Sequence, residues 1–352
     1  MMTGDQIRLS IMMLLAVFLA WGGSSALARS TDVIANRVAS EQARHVEIDG
    51  VFFYDGGYVD EGDMVLLDMI ENADMSEGGV YFIGSSESVC SLMPWTLSAA
   101  ERAQIHNFSI GDFRHREIED YVRILVEDFN MLEAGGEKNT VVLSSFSLLA
   151  RPKDLSRPID AYVANLFERH GRYSYDWEDG IRYKNPGRLE RIYRSEKDLA
   201  NRFLTFTLTP PPSRVRPVAS MEWRVQHTRS IFGEGWEETM DVEVQSFERT
   251  IDYLLERNVN VMILRPPNGS WHDGFPFEEA YWSRVEPLIA ARDLPVLDFT
   301  EFLEDEEFGD DVHPRYSGQV KLHEAYRELA IAELAKSGVS LSSDTENGDL
   351  QP

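Results

Sequence analysis

The chain has 352 residues, of which 43% are hydrophobic and 27% charged, which is enough apolar material for a sizeable core and too much for a disordered chain. Its formal charge of −26, from 60 acidic against 34 basic residues, argues against nucleic acid as a partner, because binding there needs cations to neutralise phosphates. Cys90 is the single cysteine, so an intramolecular disulfide and a cysteine-based zinc cluster are excluded. The eight histidines form no H-x-H or H-x-x-x-H pair, so no metal is expected, and nothing in the sequence calls for a cofactor.

In chain order, residues 1 to 28 read as an export segment. Arg8 precedes the apolar stretch Ile11 to Trp21, followed by Gly-Gly-Ser-Ser and the small-x-small pattern Ala26-Leu27-Ala28. The apolar core is short for a membrane span, so cleavage after Ala28 is expected. An uncleaved anchor and a buried N-terminal helix are the alternatives. Residues 29 to 78 form an acidic flank with an apolar patch at Val51-Phe52-Phe53-Tyr54 and a short helix from Met64 to Ile70.

From there the pattern becomes regular. Val80 to Ile83, Gln104 to Phe108, Thr140 to Leu143, Val259 to Leu264 and Leu294 to Phe299 read as strands. Ile118, Val122, Leu125 and Phe129 recur at helical spacing, in a helix expected to end at Gly135-Gly136. Phe247, Ile251, Leu254 and Leu255 mark a second helix, and Leu322, Tyr326 and Leu329 a third. Apolar strands alternating with amphipathic helices predict a mostly parallel sheet covered on both faces. The domain is expected over 79 to 336, with a helical insertion at 151 to 235 and a polar, disordered tail at 337 to 352. Residues 151 to 229 hold sixteen Arg or Lys against ten Asp or Glu, a local excess of +6 that leaves −32 on the rest. That excess suits either a structural cap or a cationic, aromatic cover for an anionic or glycan partner.

Two short motifs sit where such a sheet does chemistry. Gly84-Ser85-Ser86-Glu87-Ser88 follows the first core strand, and a serine on a Gly-bearing turn into a helix is held clear of the sheet with its own N–H aimed at a developing oxyanion. Asp310-Asp311-Val312-His313-Pro314 precedes the last helix. Its spacing lets Asp310 accept from His313 Nδ1–H and leaves Nε2 to take a proton from Ser86, with Asp311 the less well-spaced alternative acid.

The order Ser, Asp, His on an α/β chain resembles the SGNH (GDSL-type) hydrolase superfamily. Its nucleophile follows the first strand, and its acid and base come from a C-terminal D-x-x-H. The resemblance covers residues 78 to 149 and 236 to 335 and implies a flavodoxin-like three-layer α/β fold. It also implies Ser86 as nucleophile, His313 as base and then acid, and Asp310 as the orienting acid. In the superfamily's second block, Asn107-Phe108-Ser109-Ile110-Gly111 would supply an oxyanion donor at Ser109 or Gly111. Its third block, Gly-x-Asn-Asp, is replaced here by Leu143-Ser144-Ser145-Phe146-Ser147, with Ser145 the candidate substitute for the missing amide.

These departures, with the N-terminal segment and the insertion, are similar to the D-alanyl transfer (DltD) proteins and to envelope polysaccharide O-acyltransferases. The resemblance implies a serine esterase or O-acyltransferase acting on a cell-envelope carbohydrate or polymer through an acyl-Ser86. It would sit in the periplasm or at the outer face of the membrane, beside a membrane-bound acyltransferase. A small-ester or lipid esterase, and a non-catalytic glycan-binding protein on the same scaffold, are the alternatives.

Overall fold

Short runs rich in Val, Ile, Leu and Phe become the central strands here because they are covered on both faces, the setting in which parallel strands lose the usual polar alternation. The computed structural model describes residues 4–29, 51–53, 70, 73–93, 96–152, 173–176, 180–183 and 215–338. Its main sheet holds Gly79–Ile83 (β1), Ile105–Asn107 (β2), Asn139–Ser144 (β3), Asn260–Arg265 (β4) and Val296–Asp298 (β5). The spatial order is β2-β1-β3-β4-β5 and every pairing is parallel. Val80 lies opposite Ile105 on one side and Thr140 on the other, and Leu143 lies opposite Ile263. The chain steps outward from β1 to β2 and then crosses to β3 on the other side. That reversal opens a crevice at the carboxyl ends of β1 and β3, the usual place for a site in such a sheet.

Between and after the strands run Ser86–Ser91 (α1), His115–Glu127 (α2), Met221–Phe232 (α3), Trp236–Leu255 (α4), Pro276–Ala291 (α5) and Tyr316–Lys336 (α6). Period-two alternation divides the strand side chains between two layers of helices. Tyr81, Ile83, Leu143 and Ile263 pack with Ile118 and Tyr121 of α2, Phe247 and Ile251 of α4, and Tyr281 and Val285 of α5. Val80, Phe82, Val142 and Leu264 pack instead with Leu322, Tyr326 and Leu334 of α6. The result is the expected α/β fold, a flavodoxin-like three-layer sandwich.

Polar contacts fix the layers as well. At the start of α2, buried Arg114 meets Glu117 at 2.8 Å and Glu243 of α4 at 3.4 Å, while Arg116 meets Glu243 at 2.8 Å. Burial raises the Glu243 pKa, against the lowering influence of the two arginines.

Three expectations need revision. The helix at α2 stops at Glu127, before Gly135, because Asn130 adopts a left-handed conformation (φ 57°) and Met131 N donates to Leu125 O at 2.9 Å, turning the chain. Most of 151–235 lies outside the described residues, and its described parts are not only helical. Tyr173–Asp176 and Gly180–Tyr183 pair antiparallel, with Tyr173 opposite Tyr183 and Asp176 opposite Gly180. Val215–Pro217 pairs antiparallel with Val51–Phe53. Finally, the N-terminal helix, Gly4–Arg29, passes through Gly22 and Gly23, and its exposed 20-residue window Gly4–Gly23 (mean hydropathy 1.6) is long enough to cross a membrane. The helix expected from Met64 lies outside the described residues except for Ile70, which is buried, and so does the tail beyond residue 338.

Central and edge strands should differ in their tolerance of truncation. Ile263→Ala, at a fully buried position of β4, is expected to cost about 2–5 kcal/mol by denaturant unfolding. Val296→Ala, at an exposed position on the edge strand, should cost well under about 1 kcal/mol.

Candidate active site

The turn after β1 is shaped by a lack of space. A Cβ on Gly84 would lie 2.7 Å from Ser144 Cβ and 2.9 Å from Glu87 Oε1, so only glycine lets the two strand ends approach. Ser85 is extended (φ −110°, ψ −155°) and Ser86 begins α1. Ser86 is therefore in the first helical turn, where its N–H has no intrahelical acceptor. It is partly accessible, whereas Ser85 and Ser88 are buried. Glu87 Oε1 accepts from Ser85 N at 3.1 Å, Ser88 Oγ at 2.8 Å and Ser144 Oγ at 2.8 Å. A buried carboxylate thus ties the turn to β3 across the crevice.

The second turn is closed by its own backbone. Phe308 and Pro314 form an antiparallel bridge, and Gly309 N donates to His313 O at 2.8 Å. Inside it, Asp310 Oδ1 accepts from Val312 N at 2.9 Å and His313 N at 2.7 Å. His313 Nδ1 lies 2.9 Å from Asp310 Oδ2, and its Nε2 lies 2.8 Å from Ser86 Oγ. A carboxylate only accepts, so Nδ1 carries the proton and Nε2 presents its lone pair to the serine hydroxyl. Burial alone would raise the Asp310 pKa. The facing His313, with the hydrogen bonds from His313 and Val312, outweighs burial and holds it at about 2.

Asp311 takes a different role from its neighbour. Its Oδ2 lies 2.7 Å from His227 Nδ1 and accepts from Thr228 Oγ1 at 3.3 Å, both on α3. Buried Arg224, on the same face, donates to Asp305 O and Phe308 O at 2.8 Å each and lies 4.5 Å over the Trp271 ring. Trp271 Nε1 donates to Asp311 O at 3.1 Å. These residues hold the loop from behind, and no local motif in the sequence marks them. Arg224, His227 and Thr228 do stand at i, i+3 and i+4, the spacing of one helix face.

The remaining candidate residues divide. Ser109 N donates to Asn107 Oδ1 at 3.2 Å and its Oγ to Phe82 O at 3.4 Å, so its groups are turned inward. Asn107 Nδ2 in turn donates to Ser88 O and Leu92 O at 2.9 Å each, bracing α1. Ile110 N donates to Gly84 O at 3.2 Å, which ties the turn carrying Gly111 to the turn that precedes Ser86. Ser145 Oγ is bonded to Tyr281 OH at 2.8 Å, and that hydroxyl reaches His115 Nε2 at 2.8 Å. Burial pushes the His115 pKa down to about 3, so this pair is neutral at physiological pH. Ser147 Oγ donates to Glu278. Ser144 at the end of β3, and Ser145 and Ser147 after it, therefore bond to Glu87, Tyr281 and Glu278, and the hydroxyl of Ser145 is not directed at the nucleophile.

No protein-family model matches this chain, and no curated protein matches it. The geometry itself defines a hydrogen-bonded Ser–His–Asp relay at the switch point of a parallel sheet, an arrangement able to raise the nucleophilicity of one hydroxyl.

Asp310→Asn should slow phosphonylation of Ser86 by a fluorophosphonate by a factor on the order of 10³–10⁴, the scale of lost tautomer control. Asp311→Asn should slow it far less, and equal losses would place the acid elsewhere. Because the Asp310 pKa is depressed on folding, its contribution, roughly 2 kcal/mol, is complete above about pH 4 and lost as pH falls towards 2. The stability gap between wild type and Asp310→Asn, measured by urea unfolding, should shrink over that interval.

Proposed function

We propose that this chain is an exported serine enzyme of the SGNH type that transfers or hydrolyses an acyl ester on a cell-envelope carbohydrate through an acyl-Ser86 intermediate. The observation that carries this reading is the 2.8 Å contact from Ser86 Oγ to His313 Nε2, backed by Asp310 at 2.9 Å. In the first step Ser86 Oγ bonds to the acyl carbon as its proton passes to His313 Nε2. The imidazolium so formed is stabilised by the Asp310 carboxylate. The oxyanion is stabilised by the N–H of Ser86, with Gly111 the candidate second donor. Collapse expels the alcohol, which takes the proton from Nε2. Water or a sugar hydroxyl then gives its proton to Nε2, bonds to the acyl carbon and displaces Ser86 Oγ, which is reprotonated.

Export is supported by the N-terminal apolar helix, of the kind that signal segments and anchors present. A membrane-bound acyltransferase is the partner that would deliver the acyl group in the transferase form of this reading.

The enzyme reading is tested with a chromogenic acetyl ester together with fluorophosphonate labelling. Wild type should label and release the chromophore, and Ser86→Ala should do neither. Labelling with a single burst and no turnover would mark a transferase lacking its acceptor. Neither labelling nor release from wild type would overturn the proposal. For export, intact mass of the protein recovered from the native envelope should begin at Arg29 or include the N-terminal helix. Recovery of the full chain only from the soluble cytosolic fraction would contradict it.

A further inference from the structure

The carboxyl ends of β4 and β5 open onto a cavity of about 470 Å³ that the Ser–His–Asp relay does not use. Its volume falls within the roughly 300–1,000 Å³ of small-molecule sites. It lies on the same edge of the sheet as Ser86, because all five strands are parallel. It also shares a wall with the loop that carries Asp310 and His313. His272, in the cavity lining, places Nε2 3.4 Å from Asp311 O and Nδ1 3.1 Å from Glu278 Oε1.

The chemistry of the lining selects among ligands. Arg265, Asn268 and Thr300 face it from the strand ends, and Glu278, Glu279 and Trp282 from α5. Asp273 also lines it, so three carboxylates stand against one guanidinium. An anionic ligand would meet net repulsion, and an acyl chain would strip water from charged groups without replacing their hydrogen bonds. A neutral polyol meets neither difficulty, since each hydroxyl both donates to carboxylates and accepts from Arg or Asn.

The lining also offers a ring and unsatisfied donor capacity. The Arg265 guanidinium lies 3.9 Å over the centroid of the partly buried Trp282 ring, so a cation and an aromatic ring stand together in the lining, each holding the other in place. Arg265 Nη1 is paired with Asp298 Oδ2 at 3.4 Å, while its Nε is buried with no hydrogen-bond partner among the described residues. Glu278 takes both His272 and Ser147 on Oε1, so Oε2 carries neither of those bonds.

We infer that this cavity is a subsite for a neutral saccharide, holding the sugar portion of the substrate beside the loop that carries His313. The assignment rests on the enzyme reading only in calling the bound sugar part of the substrate.

The test is saturation-transfer NMR and calorimetry on the full chain, with cellobiose as the neutral probe, digalacturonate as the anionic one and anionic phospholipid vesicles as the lipid one. Wild type and Ser86→Ala should bind cellobiose alike, and both should prefer it to digalacturonate. Asn268→Trp, which fills the cavity, and Arg265→Gln should each weaken cellobiose binding at least tenfold while circular dichroism and Tm stay those of a folded chain. Binding of digalacturonate or vesicles in preference to cellobiose would overturn the assignment. So would cellobiose binding that survives both cavity variants. If either variant fails to fold, Glu279→Gln, at an exposed lining position, takes its place and should weaken binding severalfold. Fluorophosphonate labelling of wild type separates the two claims. Labelling without cellobiose binding defeats the subsite alone, and binding without labelling defeats the enzyme reading alone.

Discussion

A 2.8 Å hydrogen bond between Ser86 Oγ and His313 Nε2, groups 227 residues apart, forms only if two turns are fixed independently and then brought to the same edge of the sheet. The first turn is fixed by close approach at Gly84 and by three hydrogen bonds converging on Glu87 Oε1. The second is fixed by the bridge between Phe308 and Pro314 and by two backbone N–H groups that seat Asp310. Parallel strand order then does the rest, since the carboxyl ends of all five strands lie on one side. Neither turn has to adjust to the other for the contact to form, which is the preorganisation that a nucleophile and its base require.

Charge is the price of that second turn. The loop concentrates Asp305, Glu306, Glu307, Asp310 and Asp311 on a protein already at −26. Arg224 offsets part of this from within, donating to two loop carbonyls while its guanidinium is stacked on Trp271. Burial lowers its pKa, and the attraction of Asp305, Asp310, Asp311 and Glu306 opposes that lowering. A buried cation here does what a hydrophobic residue could not, donating to two loop carbonyls while its charge offsets the nearby carboxylates. Asp311 is held separately, by hydrogen bonds with His227 and Thr228. Two adjacent carboxylates can thus be packed side by side because they face different partners.

What was legible in the sequence was what is local. The central strands show as apolar runs because both faces are covered, and Gly-x-Ser and D-x-x-H show because a turn and a three-residue spacing are read over a few positions. What was not legible depended on distant partners. Ser144, Ser145 and Ser147 look alike in sequence, yet they bond to Glu87, Tyr281 and Glu278, up to 136 positions away. Spacing separated Asp310 from Asp311, but the partners that Asp311 takes instead come from α3, a helix that the composition of 151–235 made look like part of a separate cover. Asn130 ended α2 early because a left-handed residue outweighed the continuing apolar period at Phe129. The pairing of Tyr173–Asp176 with Gly180–Tyr183 was signalled by the alternating aromatics Tyr173 and Tyr175, which the charge count obscured.

The central claim is that one hydroxyl, on Ser86, is activated by this relay. Peptide mapping by mass spectrometry after brief exposure to a fluorophosphonate tests it directly. The account predicts a single adduct, on the peptide containing Ser86, that is absent from folded Ser86→Ala and still present in Ser85→Ala and Ser88→Ala. An adduct that persists in Ser86→Ala, or that maps to a different serine in the wild-type protein, would contradict it.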